Sequence, residues 1–244
     1  MARKLPGVVG SLAVVLAACG TRTLADHDNL YSTGPERYVW CSVNIDARDN
    51  YDINDISGAL SRAEVDRSTL HLYAHVPGET IDPATIDQVL SAAADRHLQL
   101  VTYEQLSATA VPGSLALSFD DDNVASWLSI APLLASHQVH VTFFVAGFLG
   151  FSDAKRDQLR QLADAGHDIE YHSTNHLNAE DYANAHGTAD YIATDIVPAL
   201  DAMRAAGYAT RTFAYPGGAR TVATDEALRP YFDHLRGLAS RCPQ

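Results

Sequence analysis

Past residue 36 the chain alternates short apolar runs with stretches in which apolar positions recur at helical spacing. The runs Tyr38–Ile45, Thr69–His75, Gln99–Thr102, Ser114–Phe119, Val141–Val145, Asp168–His172, Thr210–Ala214 and the weaker His234–Leu238 are rich in Val, Leu, Ile, Tyr and Phe, and read as strands. The stretches between them carry helix punctuation. Asp82-Pro83 is an N-cap with proline at the first helical position, opening a helix to about Arg96. Asn123 is placed to cap a helix running toward Ser136. Ser152 is placed to cap one stopping at Gly166, and Ala205-Ala206-Gly207 reads as a helix end. About eight strand–helix units in one stretch predict an α/β fold, a regular or distorted (β/α) barrel. A doubly wound sheet is the competitor, weakened because no Gly-x-Gly-x-x-Gly follows a strand.

Composition narrows the possibilities. The 244 residues are 47% hydrophobic and 19% charged, an ordinary globular mixture that excludes disordered, collagenous and coiled-coil chains. A net charge of −13 argues against a nucleic-acid partner held by phosphate contacts. Three cysteines, Cys19, Cys41 and Cys242, exclude a disulfide-dense scaffold.

Residues 1–18 read as an export signal. Arg3 and Lys4 precede an apolar core, Leu12 to Ala18, that is too short to span a bilayer. Leu16-Ala17-Ala18-Cys19 resembles the lipobox of bacterial lipoproteins, with a plain secretory signal as the alternative. The resemblance implies cleavage before Cys19, lipid attachment there, and a lipid-anchored place in the bacterial cell envelope. Residues 19–36 would be a polar tether, and the lipid the sole membrane contact. With Cys19 lipidated, Cys41 and Cys242 are left to pair in an oxidising compartment; two buried thiols are the alternative.

In a (β/α) barrel, chemistry gathers at the C-terminal ends of the strands. Ser114–Phe119 runs into Asp120, Asp121 and Asp122, whose mutual repulsion a cation would relieve; an acidic helix start explains the same run. Asp168–His172 leads into His172-Ser173-Thr174-Asn175-His176, two imidazoles at a spacing that suits zinc and related metals. Thr210–Ala214 leads to Tyr215-Pro216-Gly217-Gly218, where backbone can approach a ligand. Alternation along Thr69–His75 puts His71, Tyr73 and His75 on one face. One Asp and two His leave a ligand position open for water, the pattern of catalytic zinc.

These segments resemble the polysaccharide deacetylases, the NodB-homology domain of carbohydrate esterase family 4. Ser118-Phe119-Asp120-Asp121 matches the family's first motif, which implies Asp120 as catalytic base and Asp121 as metal ligand. His172-Ser173-Thr174-Asn175-His176 matches the metal-binding motif, and Phe213-Ala214-Tyr215-Pro216-Gly217-Gly218 the third. The family's closing Leu-x-His motif, which supplies the catalytic acid, has no counterpart after Gly218. Leu70–His75 looks like it, placed before the first motif, with Asp49 of Asp46-Ala47-Arg48-Asp49-Asn50 as the residue orienting His75. The resemblance covers residues 37–244 and implies a circularly permuted barrel of the NodB type. Residues 37–106 would be the usual C-terminal part, 107–113 the junction and 114–244 the usual N-terminal part.

The resemblance implies a zinc-dependent hydrolase that cuts carbon–nitrogen bonds other than peptide bonds, removing N-acetyl groups from a GlcNAc-containing polysaccharide. Asp121, His172 and His176 would hold the metal. Tyr215 and Gly217 would serve substrate and oxyanion, with Tyr73 a second sugar contact. Removal of O-acetyl groups from acetylxylan-type polymers and a catalytically degenerate glycan-binding lipoprotein are the alternatives. Relatives carry an Arg in the third motif that pairs with the base; Ala214 stands there in this chain, with Arg211 and Arg220 as candidates to replace it. Asn50 stands where relatives have a Trp.

Overall fold

The structure is a computed structural model that describes residues 23–49 and 51–242. Its strands are β1 (Tyr31–Ser32), β2 (Val39–Asn44), β3 (Thr69–Ala74), β4 (Gln99–Leu100), β5 (Ser114–Asp121), β6 (Thr142–Val145), β7 (Asp168–Tyr171), β8 (Thr212–Ala214) and β9 (His234–Leu238). The helices are α1 (Ile53–Asp66), α2 (Pro83–Asp95), α3 (Tyr103–Ala108), α4 (Val124–Ser129), α5 (Ala131–Ser136), α6 (Asp153–Asp164), α7 (Ala179–His186), α8 (Thr188–Tyr191), α9 (Val197–Ala205) and α10 (Val222–Leu228).

Seven parallel strands close into a barrel in the order β3-β2-β9-β8-β7-β6-β5, and β5 pairs back onto β3 from Thr69↔Ser114 to Ala74↔Phe119. This is the distorted (β/α) barrel expected from the alternation. The short β1 adds antiparallel to β3 and β4 adds parallel to β5. Two strands from the start of the chain, β2 and β3, thus sit between its last strand and its fifth.

Burial follows from the sequence pattern. Apolar residues on the outer strand faces and the inner helix faces form one large core between barrel and helices. A smaller cluster, Trp40, Ala116, Phe144 and Ala214 with Val101, Tyr103 and Leu106, fills the barrel. α3 lies across its N-terminal end, where the Tyr103 amide donates to Thr142 Oγ1 and the Glu104 amide to Asp168. The barrel floor is therefore packed, and ligands have access at the opposite end.

Several local expectations change. Asp82 and Ser152 cap their helices as read. Asn123 makes no side-chain cap, and the stretch toward Ser136 is two helices separated at Ile130. Of the expected tether, residues 23–36 pack on the domain: Leu24 and Leu30 are buried, and Arg62 binds the Ala25 carbonyl and Asp28. Cys41 and Cys242 form a disulfide joining β2 to the turn after β9. Residues 1–22, including Cys19, and Asn50 lie outside the described residues. Among the described residues, no helix is long and apolar enough to cross a membrane.

Candidate active site

The C-terminal ends of β3, β5, β7 and β8 surround a cavity of about 380 Å³ lined by His75, Asp120, Asp121, His172, His176 and Gly217, among others. These six residues, all singled out in the sequence, thus converge from four strands.

Asp121, His172 and His176 are grouped so that they could hold a metal ion. Their donor atoms lie within 4.8 Å of one another. Asp121 Oδ1 is 3.5 Å from His172 Nε2 and 3.2 Å from His176 Nε2. His172 Nδ1 lies 2.7 Å from the Ala214 carbonyl, so its N–H donates there and Nε2 carries the free lone pair. Burial raises the Asp121 carboxyl, but hydrogen bonds to His172 and His176 outweigh it and hold the group well below its ordinary range. Asp121, Ser173 and His176 all have positive φ, at 88°, 81° and 57°. Strained backbone concentrated on one constellation marks a functional site. The histidine pair is presented by a loop, not by a helix face. Two imidazoles, one carboxylate and an open fourth side fit a zinc-type divalent ion.

Asp120 is 2% exposed and ion-paired with Arg236, itself 0% exposed. Its other oxygen, Oδ1, is buried with no hydrogen-bond partner among the described residues. Arg236 Nη1 also donates to Ser42 Oγ, and the guanidinium lies 4.5 Å from the centre of the Tyr73 ring. Arg236 was missed in the sequence because β9 is short and weakly patterned. Arg211 and Arg220 do not fill the role: Arg211 pairs with exposed Asp233 and Arg220 with Asp225.

His75 faces the cluster from the end of β3. Its Nδ1 lies 2.5 Å from Asp46, which also accepts from the His75 amide and from Thr80 Oγ1. The orienting carboxylate is therefore Asp46, not Asp49. Asp46 is 1% exposed in the turn after β2, whereas Asp49 faces the outer rim beside Arg48. The Trp127 indole N–H donates to the His75 carbonyl, so this core residue also fixes the strand end that bears His75. Burial lowers the His75 imidazole, but the Asp46 hydrogen bond and the charges of Asp120, Asp46 and Asp121 win, and its pKa is raised.

Tyr215 lines the same cavity, beside Gly217. It is 1% exposed and its hydroxyl donates to Asp225, so the ring belongs to the core. Tyr73 packs between Arg236 and His75 at the cavity wall. Gly217 lines the cavity with φ 58°. Gly218 has a plain reason to be glycine: a Cβ there would run into Leu238.

The sequence profile of the polysaccharide deacetylases matches residues 107–231, which contain Asp120, Asp121, His172, His176 and Gly217 but not His75 or Arg236. No curated protein matches the sequence. Among solved structures, the de-N-acetylase from Aggregatibacter actinomycetemcomitans superposes with TM-score 0.54 at 15% identity, over 70% of this chain and 92% of that one. The BpsB deacetylase domain from Bordetella bronchiseptica superposes with TM-score 0.52 at 17% identity, over 84% and 86%. Both have the same fold. The chitin deacetylase of Colletotrichum lindemuthianum aligns at 22% identity and TM-score 0.42 over 50% of this chain, which spans about half, 53%, of that enzyme. With its profile match, its barrel and its Asp–His–His cluster at the strand ends, this chain belongs to the polysaccharide deacetylase family.

Proposed function

We propose that the protein is a zinc-dependent hydrolase that removes N-acetyl groups from a GlcNAc-containing polysaccharide. The observation that carries this reading is the placement of Asp120 and His75 on one cavity with Asp121, His172 and His176.

Bound at those three side chains, a divalent ion would polarise the acetyl carbonyl and lower the pKa of the attacking water. Asp120 Oδ1, with no partner among the described residues, takes the proton of that water, while Arg236 fixes the carboxylate through its other oxygen. His75 delivers a proton to the leaving amine from Nε2, because Asp46 keeps Nδ1 protonated and the ring aimed. The backbone around Gly217 borders the side of the cavity where negative charge would gather on the acetyl oxygen. Acetate and a free amine leave.

A polymeric substrate is supported by what flanks the central cavity. A cavity of about 460 Å³ shares Arg48, Tyr73 and Leu238 with it, and one of about 370 Å³ shares Asp121 and His176. The three cavities thus adjoin through shared lining residues, a larger surface than a single acetylated sugar would need.

The circular permutation belongs to the same proposal. It is supported by β2 and β3 lying between β9 and β5, and by a family profile that begins at residue 107 while the acid histidine lies at 75. The lipid anchor at Cys19 and a place in the cell envelope rest on the sequence signal. Metabolic labelling with palmitate, lost in Cys19→Ser, tests them.

The deciding assay is acetate release from chitooligosaccharides and from acetylxylan, wild type against Asp120→Asn. Release from the first, abolished in the variant, is expected. Release from acetylxylan alone would replace the amide reading with the ester one. No release from either would leave a glycan-binding protein.

A further inference from the structure

The loop that presents His172 and His176 is held by a residue from another element. Between α8 and α9 the chain makes a π-helical turn, Ile192–Ile196, followed by Pro198. A π-turn leaves its carbonyls without the usual i+4 donors, and proline removes one further N–H. The His-bearing loop takes up those carbonyls: Asn175 Nδ2 donates to Thr194 O, the Thr174 amide to Asp195 O, and Tyr171 Oη to Asp195 O and Ile196 O.

The same turn aims the Asp195 side chain into the loop. Asp195 is 0% exposed. Its Oδ1 accepts from the Asn175 amide at 2.5 Å and its Oδ2 from the Leu177 amide at 3.3 Å, the residues on either side of His176. Ser173, whose Oγ accepts the His176 amide at 2.8 Å, hydrogen-bonds to Asp195 as well. Asp195 makes no contact with the cavity, so it has no part in the reaction itself. Among the described residues its carboxylate bonds to Ser173, Asn175 and Leu177, in the segment where Ser173 and His176 hold left-handed backbone.

We infer that Asp195 is a positioning residue for metal binding, whose buried carboxylate clamps the 173–177 loop in the strained form that turns His176 toward Asp121 and His172. The inference rests on the metal-dependent reading of this site. A carboxylate accepts from both flanking amides at once. Asparagine offers one acceptor and turns an N–H₂ toward the other amide, so the clamp opens on one side while shape and volume stay.

The test is a Zn²⁺ titration of metal-free protein against a chromophoric chelator, with no substrate present. Asp195→Asn is expected to weaken Zn²⁺ binding by about 10–100-fold, the usual effect of losing a residue that orients a ligand. Asp195→Glu, whose carboxylate sits a methylene too far out, carries the same expectation should the first variant fail to fold. Tyr171→Phe removes hydroxyl bonds to the same turn but leaves the carboxylate clamp, and should bind Zn²⁺ within a few-fold of wild type. Wild-type affinity in a folded Asp195 variant would overturn the inference and leave the proposed function standing. So would an equal loss in Tyr171→Phe, which would mean general loosening of the turn. A wild-type protein that binds no Zn²⁺ would remove both.

Discussion

Arg236 and Asp120 form a buried ion pair across the barrel mouth although 116 positions separate them in the chain. Ala214 and Arg236 are paired in register on the neighbouring strands β8 and β9, so the guanidinium reaches Asp120 past a small side chain. The small side chain at 214 and the guanidinium at 236 are two halves of one solution. Arg236→Met should cost about 3–5 kcal/mol of stability, because it strands the Asp120 charge in the interior. It should also lower kcat on the order of a hundredfold by freeing the base. Denaturant melts and acetate-release kinetics read the two effects. Full activity in the variant would deny the pair its role.

The acid side of the site gives a pH prediction. On the proposed mechanism His75 donates only while protonated, and its raised pKa keeps it so to higher pH than an ordinary imidazole. Activity that needs this proton is present below that pKa and lost as pH rises through it. In Asp46→Asn the opposing carboxylate is gone and burial pulls the imidazole down. The alkaline limb of the kcat/KM profile should then move to lower pH. An unmoved limb would assign it to some other group.

Metal dependence separates two kinds of variant. Chelation should abolish activity and Zn²⁺ restore it. His172→Ala should lose both bound zinc and acetate release. Asp120→Asn should keep zinc and lose roughly 10²–10⁴-fold in rate, since only the base is removed. Zinc content by mass spectrometry, measured beside the assay, decides it.

A second pair of buried carboxylates does not line the central cavity. Asp168 and Glu170 are buried in β7. Burial pushes Asp168 up to about 7 and Glu170 well above its usual value. For such groups the folded state favours the proton. Their stabilising effect is whole below the unfolded-chain pKa and fades as pH climbs through the folded one. Thermal stability should therefore decline from about pH 4 to pH 8, and Asp168→Asn should flatten that decline while changing little at pH 4. A melting curve with the wild-type slope in the variant would contradict this.

The Cys41–Cys242 bridge spans 201 positions, nearly the whole described domain. On the chain-entropy account, closing so long a loop stabilises by about 5 kcal/mol. It also anchors the end of β9, where Leu238 packs against Gly218 at the cavity wall. Reduction, or Cys41→Ser with Cys242→Ser, should lower the melting temperature by many degrees.

Much of the site was written locally. Asp120 and Asp121 close an apolar strand, and the two histidines follow another, so their types and places could be read from neighbouring residues alone. Asp46 and Asp49 could not be told apart that way, since both belong to one short polar turn. What separates them is that Thr80 and the His75 amide, distant in sequence, fasten Asp46. Asp195 was invisible for a similar reason. Its helix gives no sign that a π-turn will rotate one carboxylate beneath a loop twenty residues upstream.

By itself the sequence determined the elements: strands where β-branched and aromatic residues cluster, helices between caps and glycines, and reactive side chains at strand ends. These depend on backbone preferences and on contacts a few residues long. The tertiary structure decided which strands close the barrel, that residues 23–36 pack on it, and that His75 and Arg236 meet Asp120. Those outcomes depend on burying shared surface between segments far apart in the chain, and no local pattern encodes the partner.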